Sequence, residues 1–140
     1  MRKLDQRGVA AFEFCVVAAA FFTLVFAIFD LGRYAITMQS LRKLANAEAR
    51  AMMIQCYTPA VTGIIANTSP SSCTGSYLTA TQMQNLAPFL FAGGLSPTVS
   101  IKVQGSALLV TANQTNFTML TPIIWPAAFS NPSASTQVPF

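Results

Sequence analysis

A long run of apolar residues near the N-terminus dominates the hydrophobic pattern of the chain. Residues 9–29 read VAAFEFCVVAAAFFTLVFAIF, and Glu13 is the single charged residue among them. A helix of this length spans roughly 30 Å, which is the thickness of the hydrocarbon core of a bilayer. The run therefore predicts a transmembrane helix. The basic residues Arg2, Lys3 and Arg7 precede it and predict a cytoplasmic N-terminus.

A cleavable secretory signal is the competing interpretation of the same run. It would share the basic start, and the three alanines that end at Ala20 offer small residues for a cut. The apolar region of a secretory signal is only roughly 7 to 15 residues long, however, and this run continues to Phe29. A membrane anchor is therefore favoured, and a secreted binding protein is kept as an alternative.

A helical pattern continues past the apolar run. Apolar residues recur at spacings of three and four along one stripe: Leu31, Tyr34, Met38, Leu41, Ala45, Ala49 and Met52. We expect one long helix from about Val9 to Ile54, ending before Thr58-Pro59. The stripe would pack against a small domain of the same chain, although an intermolecular coiled-coil seam would require the same spacing.

The remaining residues predict short elements of both kinds. A loop rich in Thr, Ser and Pro comes first, followed by a helix, a hairpin and a short last strand. Their expected ranges are Thr58–Ser76 for the loop, Thr79–Phe91 for the helix with Thr79 or Thr81 as N-cap, Val99–Val103 and Ala107–Ala112 for the hairpin, and Thr136–Val138 for the last strand. Prolines 122, 126, 132 and 139 argue against long regular elements in the tail.

The predicted fold class is therefore α+β, with a long N-terminal helix packed on a small domain that holds a short helix and an antiparallel hairpin or small sheet. The expected organisation is a transmembrane helix at 9–30, its extracytoplasmic continuation at 31–55, and an extracytoplasmic domain at 56–140. An apolar tail, with residues Phe117, Ile123, Ile124, Trp125 and Phe129, would complete the core or form a docking surface.

Charge and cysteine content refine this organisation. Charged residues make up 9% of the chain, against roughly 25% in soluble proteins, and Lys102 is the only one after Arg50. No basic face suited to nucleic acid is present. An oxidising compartment would allow Cys56 and Cys73 to pair, closing a loop of about eighteen residues worth roughly 3 kcal/mol. Two free thiols are the other interpretation.

The composition also restricts the possible chemistry. The chain has no histidine, so a serine or cysteine nucleophile would have no imidazole base, and two-histidine metal sites are impossible. Its four carboxylates all lie in or near the anchor helix. We therefore expect no catalytic site, no metal site and no cofactor in this protein.

The spacing around Glu13 carries a resemblance to a known family. A basic leader, Gly8, and a glutamate five residues later inside an apolar helix resemble the class III signal of type IV pilins. The stretch from Arg7 to Ala51 resembles the TadE-type pseudopilins of tight-adherence (Flp, type IVb) pilus systems, through Arg7-Gly8, Ala11-Phe12-Glu13-Phe14, Phe29-Asp30-Leu31-Gly32-Arg33 and Leu44-Ala45-Asn46-Ala47-Glu48-Ala49-Arg50. More loosely, the stretch from Phe117 to Pro122 resembles a "pltpl"-like segment of the family.

The resemblance implies a function and a set of partners. Residues 1–8 would be a leader that a prepilin peptidase removes by cutting between Gly8 and Val9, and Glu13 would then pair with the new amine of a neighbouring pilin. The chain would be a minor pilin or pseudopilin in the assembly, initiation or tip of a pilus, in hetero-oligomeric contact with other pilins. It would have a type IV pilin-like fold and reside in a bacterial inner membrane, with its N-terminus in the cytoplasm and its C-terminal domain in the periplasm, or else in the extracellular pilus. An unprocessed inner-membrane scaffold of a secretion or envelope complex is the alternative, with Glu13 then only tolerated near the interface.

Overall fold

The computed structural model describes residues 6–64, 69–121, 124–125 and 129–139. It is an α+β fold in which one very long helix leads into a small domain, as predicted. The helix α1 covers Gln6–Met52 and runs without interruption through Gly32. Its C-terminal half packs against a three-stranded sheet, so the intramolecular arrangement of the apolar stripe is the one observed. Arg2, Lys3, Ile123, Pro122 and Pro126 lie outside the described residues.

The helix extends further than the sequence pattern predicts. A π-helical turn, Met53–Tyr57, follows α1, and a last helical turn α2, Thr58–Val61, follows that. The predicted end at Ile54 is therefore wrong, and the first residues of the expected loop are helical. The π-helical turn explains this, since its wider hydrogen bonding, with the Thr58 amide donating to the Met53 carbonyl, lets the chain accept Pro59 in the next turn.

For the short helix, the predicted start is confirmed and the predicted end is wrong. Helix α3 covers Ala80–Leu86, with Thr79 as N-cap. Thr79 and Gln82 form a reciprocal capping box. Ala87 leaves the helical region because Pro88 follows it, and the 3-10 segment Pro88–Gly94 completes the range that was predicted as continuous helix.

The sheet consists of β1 (Thr98–Gln104), β2 (Ala107–Asn113) and β3 (Ser133–Pro139) in antiparallel order β1-β2-β3. The predicted hairpin is confirmed, with Gly105 at positive φ in its two-residue turn. The last strand is longer than predicted. Pro132 lies just before it and Pro139 is its last residue, so neither proline interrupts its pairing with β2.

Two buried clusters fill the space between α1 and the sheet. One contains Leu41, Leu44, Ala45, Ala87, Leu90, Ala112 and Ala134. The other lies nearer the hairpin turn and contains Ala49, Met52, Cys73, Ile101, Leu108, Val110 and Val138. The hairpin turn therefore lies beside the end of α1, and the open end of the sheet lies nearer the N-terminal half of the helix.

Candidate functional site

The N-terminal half of α1 stands free of the domain. From Gly8 to Phe29 every residue is exposed or half-buried, although most are apolar. Its exposed large side chains include six phenylalanines: Phe12, Phe14, Phe21, Phe22, Phe26 and Phe29. The helix is long and apolar enough to cross a membrane, which fits the predicted membrane anchoring.

The residues predicted to act in processing and assembly all lie on this free segment. Gly8 and Val9 are exposed, and Glu13 follows Gly8 about 7.5 Å further along the axis. Glu13 is exposed and forms no ion pair with any residue that the structure describes. The thiol of Cys15, which is free and exposed, lies on the same segment. The Glu13 carboxylate is the single charged group on the apolar surface of residues 9–29.

Where the free segment ends, Asp30 joins the helix to the domain. Its side chain is 0% exposed, and its Oδ1 accepts a hydrogen bond of 2.7 Å from the amide of Leu120. Its Oδ2 accepts one of 2.9 Å from the amide and one of 2.7 Å from the hydroxyl of Thr121. Arg33 is 4.0 Å from the carboxylate but is partly exposed, so the three hydrogen bonds dominate.

Glu48 makes a corresponding junction near the other end of the domain. It is fully buried, and its carboxylate accepts hydrogen bonds from the amides of Tyr77 and Leu78, the second at 3.2 Å. Burial of the Tyr77 side chain, and then the nearby Glu48 carboxylate, raise the pKa of Tyr77 above its ordinary value. The carboxylate thus satisfies backbone donors of a segment that has few regular hydrogen bonds of its own.

Sequence reasoning missed the role of these two acids, although a signal was present. Asp30 and Glu48 are eighteen positions apart, which is five helical turns, so they lie on one face. That face also holds Thr37, Leu41 and Leu44, all buried. By contrast, Leu31 from the predicted stripe is 46% exposed. Acids in register with an apolar face predict buried carboxylates that need donors from the domain.

The disulfide considered from the sequence is present in the structure. Cys56 in the π-helical turn is bonded to Cys73, with their Cα atoms 5.8 Å apart. Cys73 is buried within the second cluster. The bond fixes the chain beyond α2 to the end of the long helix.

Aromatic side chains gather at the junction near Asp30. Tyr34 contacts the rings of Phe117 and Phe129, with centroids 6.1 and 5.0 Å away, and Trp125 contacts Phe129 at 5.5 Å. The guanidinium of Arg33 lies 5.5 Å from the Phe117 ring centroid. The apolar tail is therefore partly core, since Phe117 is buried, and partly surface, since Ile124 is exposed.

A cavity of about 320 Å³ lies beside this aromatic cluster, with Arg33, Phe89, Leu95, Gln114 and Phe117 among its lining residues. Gln114 is 1% exposed, and neither polar atom of its side chain has a hydrogen-bond partner among the described residues. Among all the residues that the structure describes, no three His, Cys, Asp or Glu side chains lie close enough to hold a metal ion.

Fold and exposed helix together define a small α+β domain carried on one apolar helix suited to membrane anchoring. Residues 8–50 match the model of a family described as TadE-like protein. The resemblance inferred from the sequence is thereby confirmed over the helix that carries Gly8, Glu13, Asp30 and Glu48. No curated protein and no solved structure matches the chain. The family match supports a Tad pilus-associated protein that has the membrane and other pilins as partners.

Proposed function

We propose that this protein is a minor pilin or pseudopilin that acts in the assembly, initiation or tip formation of a tight-adherence type IVb pilus. The observation that carries the proposal is the free apolar half of α1, which lies inside the family match and bears the unpaired Glu13. A surface of this kind is stable only in lipid or against other helices. A filament of packed pilin helices supplies the second environment.

The chain would be inserted with residues 9–30 in the inner membrane and residues 31–140 in the periplasm. The basic residues before the apolar run support this orientation. The Cys56–Cys73 disulfide also supports it, because disulfides persist in the oxidising periplasm and are rare in the cytosol. Both observations support a periplasmic location of the domain.

Processing would come before assembly. Cleavage by a prepilin peptidase between Gly8 and Val9 removes Arg2, Lys3 and Arg7, whose charges resist passage through the bilayer. It also creates an α-amine at Val9. This amine and the Glu13 carboxylate of a neighbouring subunit have opposite charges, so each compensates the other in an apolar helix bundle and fixes the register of the two helices.

Mass spectrometry of the protein from membranes that contain a prepilin peptidase tests the processing step. We expect a chain that begins at Val9, and a Gly8→Val variant that keeps its leader. Alanines 10 and 11 offer a matched control, since Ala10→Val changes a neighbouring small residue and leaves the cut in place. A wild-type chain that still carries residues 1–8 would favour the unprocessed membrane scaffold.

A second experiment tests the role of Glu13. Glu13→Gln removes the charge and keeps the shape, so we expect normal cleavage and a loss of most cross-linking to other pilins, measured in membranes and in sheared pili. Cys15→Ser is the matched control, because it alters an exposed residue of the same helix without changing charge. Equal cross-linking of the Glu13→Gln and Cys15→Ser variants would contradict the pairing with a neighbouring subunit.

A further inference from the structure

Two exposed apolar side chains of the domain lie beside the start of its junction with the helix. Leu120 is 59% exposed and Ile124 is 45% exposed. The amide of Ile124 donates to the carbonyl of Thr121, the residue that follows Leu120. We call Leu120 and Ile124 the membrane-proximal pair.

The position of this pair along the helix axis is fixed by Asp30. The Leu120 amide donates to the Asp30 carboxylate at 2.7 Å, and Asp30 directly follows Phe29, the last residue of the apolar run. The backbone of Leu120 therefore lies at the level where the hydrocarbon core ends. The pair therefore adjoins the lipid-facing surface of the helix, which ends at Phe29.

The surroundings of the pair have the chemistry of a bilayer interface. Trp125 follows Ile124 in the chain, and the rings of Trp125 and of Tyr34 on the helix both contact Phe129. Trp and Tyr are residue types that favour the headgroup level. Arg33 is 40% exposed there and offers a positive charge to lipid phosphates. The Asp30 carboxylate at this level is fully buried, and no acidic side chain follows Glu48 in the sequence.

We propose that the membrane-proximal pair inserts into the outer face of the bilayer that holds the helix, so that the domain rests on the lipid surface. The proposal depends on the membrane anchoring part of the proposed function and is independent of processing or pilus assembly. Inserting the pair removes apolar surface from water and limits the tilt of the domain on its helix.

Fluorescence of the full chain in vesicles tests this seating, because Trp125 is the only tryptophan. In a Trp125→Phe background, Leu120→Trp places the probe at the pair. The vesicles contain phosphatidylcholine and phosphatidylglycerol, with phosphatidylcholine brominated either near the headgroup or near the chain end. We expect the probe to lose most of its emission with headgroup-side bromine and much less with chain-end bromine.

The matched control is Val103→Trp in the same Trp125→Phe background. Val103 is 47% exposed and lies next to the hairpin turn, at the end of the sheet away from Asp30. We expect no quenching by either lipid there. A Leu120→Trp probe that is quenched no more than the Val103→Trp probe would overturn the proposal, provided that both variants unfold at the wild-type denaturant concentration. Because no peptidase or other pilin is present, that result would leave the pilin assignment intact.

Discussion

The two halves of α1 use one continuous backbone in two different environments. From Gly8 to Phe29 the surface is apolar on all sides and uncovered by the domain. From Asp30 to Met52 one face is buried and the opposite face carries polar residues. The acids differ in the same way, since Glu13 has no partner among the described residues, whereas Asp30 and Glu48 each bind backbone amides.

This difference separates two uses of a carboxylate in an apolar setting. A buried acid that is satisfied within its own chain contributes to the fold, and its removal leaves amides without acceptors. An acid that the chain leaves unsatisfied contributes nothing to that fold. Its partner must come from water, from the lipid interface or from another subunit. Substitutions at Asp30 and Glu13 should therefore affect different properties.

The largest effect is expected for Asp30→Ala. It removes the acceptor for the Leu120 and Thr121 amides and for the Thr121 hydroxyl, so it should lower the free energy of unfolding by roughly 3–5 kcal/mol. The measurement is a denaturant titration in detergent that follows Trp125 fluorescence. Glu13→Gln is the control and should change this free energy by less than about 0.5 kcal/mol. Similar losses in the two variants would remove the distinction between the acids.

The next largest effect concerns the disulfide. Cys56→Ala combined with Cys73→Ala opens a loop with a sequence separation of 17, which should cost roughly 3 kcal/mol, mainly by freeing the unfolded chain. Titration of the double variant against wild type measures the loss. Cys15→Ala is the matched control, as its thiol is free and lies on the exposed half of the helix. A double variant as stable as this control would show that the bond does not constrain the domain.

The features that the sequence predicted are those that depend on neighbouring residues. The apolar run, the Thr79 cap and the β1–β2 hairpin all follow from patterns within a few positions, and the structure contains all three. The helix beyond Pro59 escaped prediction because a π-helical turn changes the hydrogen bonding that a proline would otherwise break.

The features that were missed depend on distant pairing. Only Thr136–Val138 of strand β3 was predicted as a strand, because residues 133–135 are small and their pairing with β2 is not evident from their own sequence. Asp30 binds amides 90 and 91 positions away, so its partners could not be identified from local spacing. Gly8, Val9 and Glu13 stay predictions, since their roles require other molecules.

A smaller effect, of opposite sign, is expected for Gln114→Met. The side-chain amide group of Gln114 is buried without a hydrogen-bond partner among the described residues, so an apolar side chain of similar length should raise the free energy of unfolding by roughly 1 kcal/mol. The same titration measures it. Gln137→Met on an exposed position of β3 is the matched control and should have little effect. A loss of stability in the Gln114→Met variant would indicate that the side-chain amide of Gln114 forms hydrogen bonds within the domain.

The smallest effect is a pH dependence at the Glu48 junction. The pKa of Tyr77 in the folded protein is raised above its ordinary value of 10.0 by burial and by Glu48. Its contribution to stability is therefore fully present below pH 10 and is lost as the pH rises from there through the raised pKa, because the unfolded chain ionises more easily.

The difference in unfolding free energy between wild type and Tyr77→Phe should change in that range and stay constant below it. Measuring both in a Cys15→Ser background prevents exchange of the disulfide by the free thiol at alkaline pH. A difference that is constant through this range would show that Tyr77 ionises equally in the folded and unfolded chains, so that neither its burial nor the neighbouring Glu48 side chain shifts its pKa.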